Sequence, residues 1–250
     1  MRSGLAAACL ARSPAVFESL VVTLDIYRRA FARGAALAVR NWPVLGSVFA
    51  YSSMLAVGGY VSAFLGLAGG FLLSLLSAAC LGSFLYLVEM IVRTGRVSWD
   101  DFRRSFGAYL WDVVGVSFAL WIFWQLVMPL LSQAPQGQVI VLCIELLIIV
   151  LFNAVPELIY LGHYSLLQLF SRSYEFIGSN WIEWFPPNVL MMGGFLVILL
   201  VPAQGVVGRV AQAAAAALFL YFVMIVRGLL FIELDGSTRR SRIFRHKMGR

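Results

Sequence analysis

Residues 139–162 read VIVLCIELLIIVLFNAVPELIYLG, a stretch in which the only charged side chains are Glu145 and Glu157. An α-helix rises about 1.5 Å per residue, so about 20 apolar residues cross the roughly 30 Å hydrocarbon core of a bilayer. This stretch is long enough to do so. Working outward, five more runs of the same kind lie at about 44–66, 70–92, 108–131, 186–204 and 210–232. The fifth span, 186–204, is the shortest and is flanked by Pro186, Pro187 and Pro202. The first two nearly merge through Gly66, Gly69 and Gly70, which suits a tight turn.

Composition agrees. The 250 residues are 61% hydrophobic and 12% charged, against about 25% charged in an average soluble domain. That leaves too little polar surface for a water-soluble globule. The expected fold class is all-α: a polytopic membrane helix bundle of six transmembrane helices. Three regions follow: an N-terminal segment over 1–42, the six-helix domain over 43–234 and a basic tail over 235–250.

The formal charge of +7 is explained by membrane topology, because cytoplasmic loops are enriched in Lys and Arg; no nucleic-acid partner is expected. Arg2, Arg12, Arg28, Arg29, Arg33 and Arg40 precede the first span, and Arg93, Arg96, Arg103 and Arg104 follow the second. The next such segment carries Arg172, and the tail carries Arg239, Arg240, Arg242, Arg245, Lys247 and Arg250. The intervening junctions carry only Arg209 between them. This alternation places both termini in the cytoplasm.

The cytoplasmic segments read as amphipathic interfacial helices. In the first, Phe17, Leu20, Val21, Leu24, Tyr27 and Phe31 recur at helical spacing, which defines one apolar face. Ser13-Pro14 suits its N-cap and first position, after a frayed lead-in. The second starts at Ser98, with Asp101 placed for a capping box. The third runs from about Ser165 to Trp184. Trp42, Trp111 and Trp181 then recur 69 and 70 residues apart, and Met90-Ile91-Val92-Arg93 returns as Met224-Ile225-Val226-Arg227. This regularity predicts a threefold tandem helical-hairpin repeat. Trp42, Trp111, Trp181 and Trp184 are expected as interfacial anchors, since Trp favours the membrane–water boundary.

Ionisable groups within spans are costly and often functional. The charged candidates are Glu89, Asp112, Glu145, Glu157 and Arg227, with Gln125 and Asn153 as uncharged companions; of these, Glu145, Asn153, Glu157 and Arg227 form the candidate intramembrane polar site. Pro156 is expected to kink the fourth span and free carbonyls beside Glu157. Arg227 reads either as a boundary charge or as an ion-pair partner of Glu157 or Glu89; Arg93 reads as a plain boundary arginine. Glu145 has no evident partner and reads equally as a structural hydrogen-bonding group or as a proton or ligand site.

Cys9, Cys80 and Cys143 have no metal or disulfide spacing, and His163 and His246 lack companions. No zinc, P-loop or nucleophile-elbow motif is present. No catalytic residue, metal or cofactor is therefore expected, and Gly236 reads as a helix C-cap.

The arginine-rich helix with Asn41-Trp42-Pro43, the stretch Thr94-Gly95-Arg96-Val97-Ser98-Trp99-Asp100-Asp101-Phe102 and Asn180-Trp181 together resemble the YciC-like six-helix bacterial membrane proteins. The resemblance covers most of the chain. It implies a multi-pass protein of a bacterial cytoplasmic (inner) membrane and supplies no catalytic residues. Two roles stay open: a non-enzymatic scaffold or accessory subunit, associating with other membrane subunits or itself, and a transporter or channel for a small solute or lipid. The lipid bilayer is the one partner common to both.

Overall fold

The computed structural model describes residues 3–131, 133–162 and 164–235, with side chains from Val21 onward, and every regular element among them is an α-helix. In chain order the helices are α1 (Ser3–Arg40), α2 (Val44–Phe64), α3 (Gly66–Thr94), α4 (Trp99–Ser105) and α5 (Leu110–Leu131). They continue with α6 (Gly137–Leu151), α7 (Val155–Gly162), α8 (Leu166–Leu200) and α9 (Gly205–Asp235). Six segments are long and apolar enough to cross a membrane: α2, α3, α5, α6 with α7, α8 and α9. The fold is an all-α polytopic bundle. His163, Gly236 and the basic tail lie outside the described residues.

The first hairpin is as tight as its glycines predict. Leu65 alone separates α2 from α3, and Gly66 adopts φ +56°, a conformation that glycine takes without steric penalty. A Cβ on Gly69 would collide with the Ser62 carbonyl, so the helices close directly on that glycine.

Two expectations for α1 are corrected. The helix starts at Ser3, ahead of Ser13-Pro14, and its early Leu5-Ala6-Ala7-Ala8 stretch has high helix propensity. Its buried face carries Val22, Ile26, Ala30 and Leu37, whereas Leu24 is exposed. The reason lies in α9, against which α1 packs through small residues. A Cβ on Gly34 would stand 2.6 Å from Val226 Cγ2. Small side chains permit this approach, and a stripe chosen by large side chains misses them.

The capping box of α4 forms as its sequence predicts. The Asp101 amide donates to Ser98 Oγ at 3.2 Å, and the Ser98 amide donates to Asp101 Oδ2 at 2.8 Å.

The fifth span differs from expectation. Helix α8 fuses the third amphipathic segment to the span, bends at Asn180 (φ −125°, ψ 15°) and contains Pro186 and Pro187. Pro187 cannot donate to the Glu183 carbonyl four residues back. The Tyr27 hydroxyl donates to that oxygen instead, at 2.7 Å. Thus α1 satisfies the carbonyl that the proline frees. Helix α8 stops at Leu200 because Val201 is extended (ψ 123°) before Pro202. Gln212 Nε2 then donates to the carbonyls of Ile198, Leu199 and Val201 at 2.9–3.0 Å.

Packing is uneven along the bundle axis. The core is built from the last turns of α3 (Val88, Ile91, Val92) and α9 (Ile225, Val226, Leu230), joined by α1, α7 and the first half of α8. This is the basic end of the bundle. At the opposite, turn end, Phe64, Leu67, Leu130, Leu200 and Val206 are exposed. Only 6% of the most apolar stretch of α5 is buried, and 11% of that of α6 with α7.

Candidate functional site

Pro156 determines the local geometry. It sits in the first turn of α7, and residues 152–154 between α6 and α7 leave the helical path. The expected kink is therefore a complete break. Two carbonyls at the break find side-chain donors: Ser173 Oγ donates to Leu151 O at 2.7 Å, and Arg227 Nη2 to Asn153 O at 2.6 Å.

The same guanidinium holds Glu157. Its Nε donates to Oε1 at 2.7 Å and its Nη2 to Oε2 at 2.9 Å. This two-pronged contact is the strong form of an arginine–carboxylate pair. Glu157 is fully buried, and the Arg227 side chain is 14% exposed. Trp184 covers the guanidinium, with 5.2 Å from Cζ to the ring centroid, and its Nε1 donates to Asn153 Oδ1 at 2.9 Å. Phe176 and Phe231 pack around the same ring.

The structure brings Asn153, Glu157 and Arg227 together and places Glu145 and Trp184 elsewhere than expected. Glu145 is exposed on α6 and takes no part in the cluster. Trp184 is 0% exposed, so the expected interfacial ring is instead a core residue. Trp42, Trp111 and Trp181 are 68%, 74% and 59% exposed near the basic end. A signal for Trp184 was available: Phe176, Ile177, Asn180, Trp184, Asn188 and Met191 form one buried stripe of α8 at three- and four-residue spacing. At the helical rise, Arg227 is about 33 Å along α9 from Gly205. That places it at the far boundary of a span rather than at mid-membrane.

A second ionic cluster lies at the end of α3. Arg93 Nε pairs with Glu89 Oε1 at 2.9 Å, and the Tyr109 hydroxyl donates to Glu89 Oε2 at 2.5 Å. Arg93 Nη2 also donates to Leu161 O at 2.9 Å. Arg93 therefore ties α3 to α7, which corrects its reading as a plain boundary arginine. Tyr160 lies buried near Val92 and Gly228, its hydroxyl unpaired among the described residues.

Asn41, known from the sequence only as part of a motif, is a third junction. Its amide donates to Leu37 O at 2.9 Å and Gly95 O at 3.2 Å. Its Oδ1 accepts from the Val97 amide at 3.0 Å, and its carbonyl accepts from the Tyr221 hydroxyl at 3.0 Å. One side chain thus joins α1, the loop after α3 and, through its own backbone, α9. Asn180 repeats part of the device, donating to Phe176 O four residues back at 3.2 Å.

Among the described residues, no three His, Cys, Asp or Glu side chains converge as a metal site. The clusters can bear load and fix helix register, because their donors and acceptors are largely spent on one another. No protein-family profile, curated protein or solved structure matches the chain.

Proposed function

We propose that this chain is a non-enzymatic scaffold or accessory subunit of a membrane complex in a bacterial cytoplasmic membrane, with both termini on the cytoplasmic side. The observation that carries this reading is that the charged groups of the polar cluster are paired with one another. Both Glu157 oxygens and the carbonyl and side-chain oxygens of Asn153 are engaged by Arg227 and Trp184. A transport site keeps such groups available to its substrate.

The basic end supports the same reading as a docking face. Arg28, Arg33, Arg40, Arg96 and Arg103 are exposed and hold no ion pair among the described residues. The alternation of basic loops supports the orientation. The layout resembling the YciC-like proteins agrees with both and adds no catalytic group.

The test is reconstitution in liposomes. Wild type and Glu157→Gln are expected to pass protons and potassium no faster than empty vesicles. Flux above that background, lost in Glu157→Gln, would replace the scaffold reading with transport. In parallel, exchanging Arg28, Arg33 and Arg103 for Glu is expected to release stoichiometric partner subunits from the purified complex.

A further inference from the structure

Glu145 and Gln125 both lie outside the clusters described above. Glu145 is exposed on α6 and Gln125 is exposed on α5, and neither has a hydrogen bond or ion pair among the described residues. At the helical rise Glu145 stands about 12 Å, and Gln125 about 9 Å, from the turn that joins these helices. They therefore share a depth well inside the spans. A carboxyl facing hydrocarbon is costly, and ionisable groups in spans as a rule face a partner. Around them Phe118, Trp121, Leu126, Leu142, Leu146 and Ile149 are exposed as well. The α5–α6 hairpin is the least buried part of the bundle.

We propose that this hairpin is the face on which a second copy of the chain docks, with the Gln125 amide of each copy donating to the Glu145 carboxyl of the other. A two-fold axis along the bilayer normal keeps every residue at its own depth. It sets α5 of one copy beside α6 of its partner, so a single contact is made twice, as a symmetric dimer interface requires. The pairing is complementary: the amide supplies the donor and the carboxyl the acceptor. Hydrogen bonds of this kind join helices where no hydrophobic force distinguishes lipid from protein. This association goes beyond the scaffold reading and does not depend on it.

The test uses the full chain in liposomes of phosphatidylethanolamine and phosphatidylglycerol. Leu142 and Ile149 lie one turn before and after Glu145 on the same face. In a Cys143→Ser background, Leu142→Cys or Ile149→Cys should form disulfide-linked dimers on copper–phenanthroline oxidation, whereas Phe64→Cys on α2 should not. Dimer fraction, read by energy transfer across lipid dilution, should fall in Glu145→Leu and in Gln125→Leu, each with a dissociation constant raised about tenfold. Glu145→Gln, whose amide still accepts a hydrogen bond, should stay within about threefold of wild type. Both leucine variants should keep the thermal stability of the monomer, since neither side chain has an internal partner. A monomer at every dilution would overturn the proposal, as would a dimer indifferent to both leucine variants or cross-linking only to a different protein. None of these outcomes bears on the flux or partner-release results that test the scaffold role.

Discussion

At the residue scale, the pair Arg227 and Glu157 dominates. Desolvating two charges is expensive, and breaking a buried pair costs more than replacing it, because the survivor keeps an uncompensated charge. Arg227→Met is therefore expected to destabilise the protein by about 3–5 kcal/mol. The double variant Arg227→Met/Glu157→Leu should recover most of that loss in a denaturation series in detergent micelles. A double variant no better than the single would show that the pair adds nothing beyond packing. Glu157 and Asn153 were legible as site residues because charge and amide inside apolar sequence are rare. Trp184 was misread because a tryptophan near a boundary looks alike whether its ring faces lipid or core. Only its partners Asn153 and Arg227, which lie 31 and 43 positions away in the sequence, decide the matter.

At the element scale, helix ends and breaks are held by side chains from other helices. Burial, with Glu183 nearby, pushes the Tyr27 hydroxyl up to about 12, so it stays protonated and donates at physiological pH. Tyr27→Phe leaves the Glu183 carbonyl without its donor, and an unsatisfied buried acceptor costs about 1–3 kcal/mol. Loss of that size is expected in thermal unfolding, with no loss where the same change is made at exposed Tyr174. The capping box of α4 gives a pH signature. Hydrogen bonds from Ser98 hold the Asp101 carboxyl below its ordinary range. Folded Asp101 therefore takes up its proton at lower pH than unfolded Asp101. Its contribution is present above about pH 4, the ordinary aspartate value, and declines as pH falls through the folded value. Hydrogen exchange at the amides of α4 should rise below that pH in wild type relative to an Asp101→Asn reference, which has no such titration. The capping box was readable because it is local, spanning the four residues from Ser98 to Asp101. The bond from Tyr27 to Glu183 was not, since nothing in either segment announces the other.

At the scale of the whole molecule, stability is concentrated at one end of the bundle. Ile225 is fully buried in the basic-end core, whereas Leu126 on α5 is 67% exposed. Truncation of a buried Leu or Ile to Ala typically costs about 2–5 kcal/mol, and of an exposed side chain about 0.5 kcal/mol or less. Ile225→Ala is therefore expected to lower monomer stability severely and Leu126→Ala hardly at all, as read by unfolding in micelles. Equal losses would contradict the gradient. The sequence by itself determined the six apolar segments, the helical class, the capping box at Ser98 and Asp101, and a departure from straight helix at Pro156, though not that the departure is a full break. Each of these follows from composition or from chemistry within a few neighbouring residues. Only the tertiary structure decided which faces are buried: that α1 turns Ala30 and Gly34 to α9, that Trp184 leaves the lipid, and that Glu145 does not join Glu157. An almost uniformly apolar helix offers several equivalent faces, so its periodicity cannot rank them. The choice falls to the few polar atoms, such as those of Asn41, Tyr27 and Arg227, whose long-range hydrogen bonds this arrangement of the bundle satisfies.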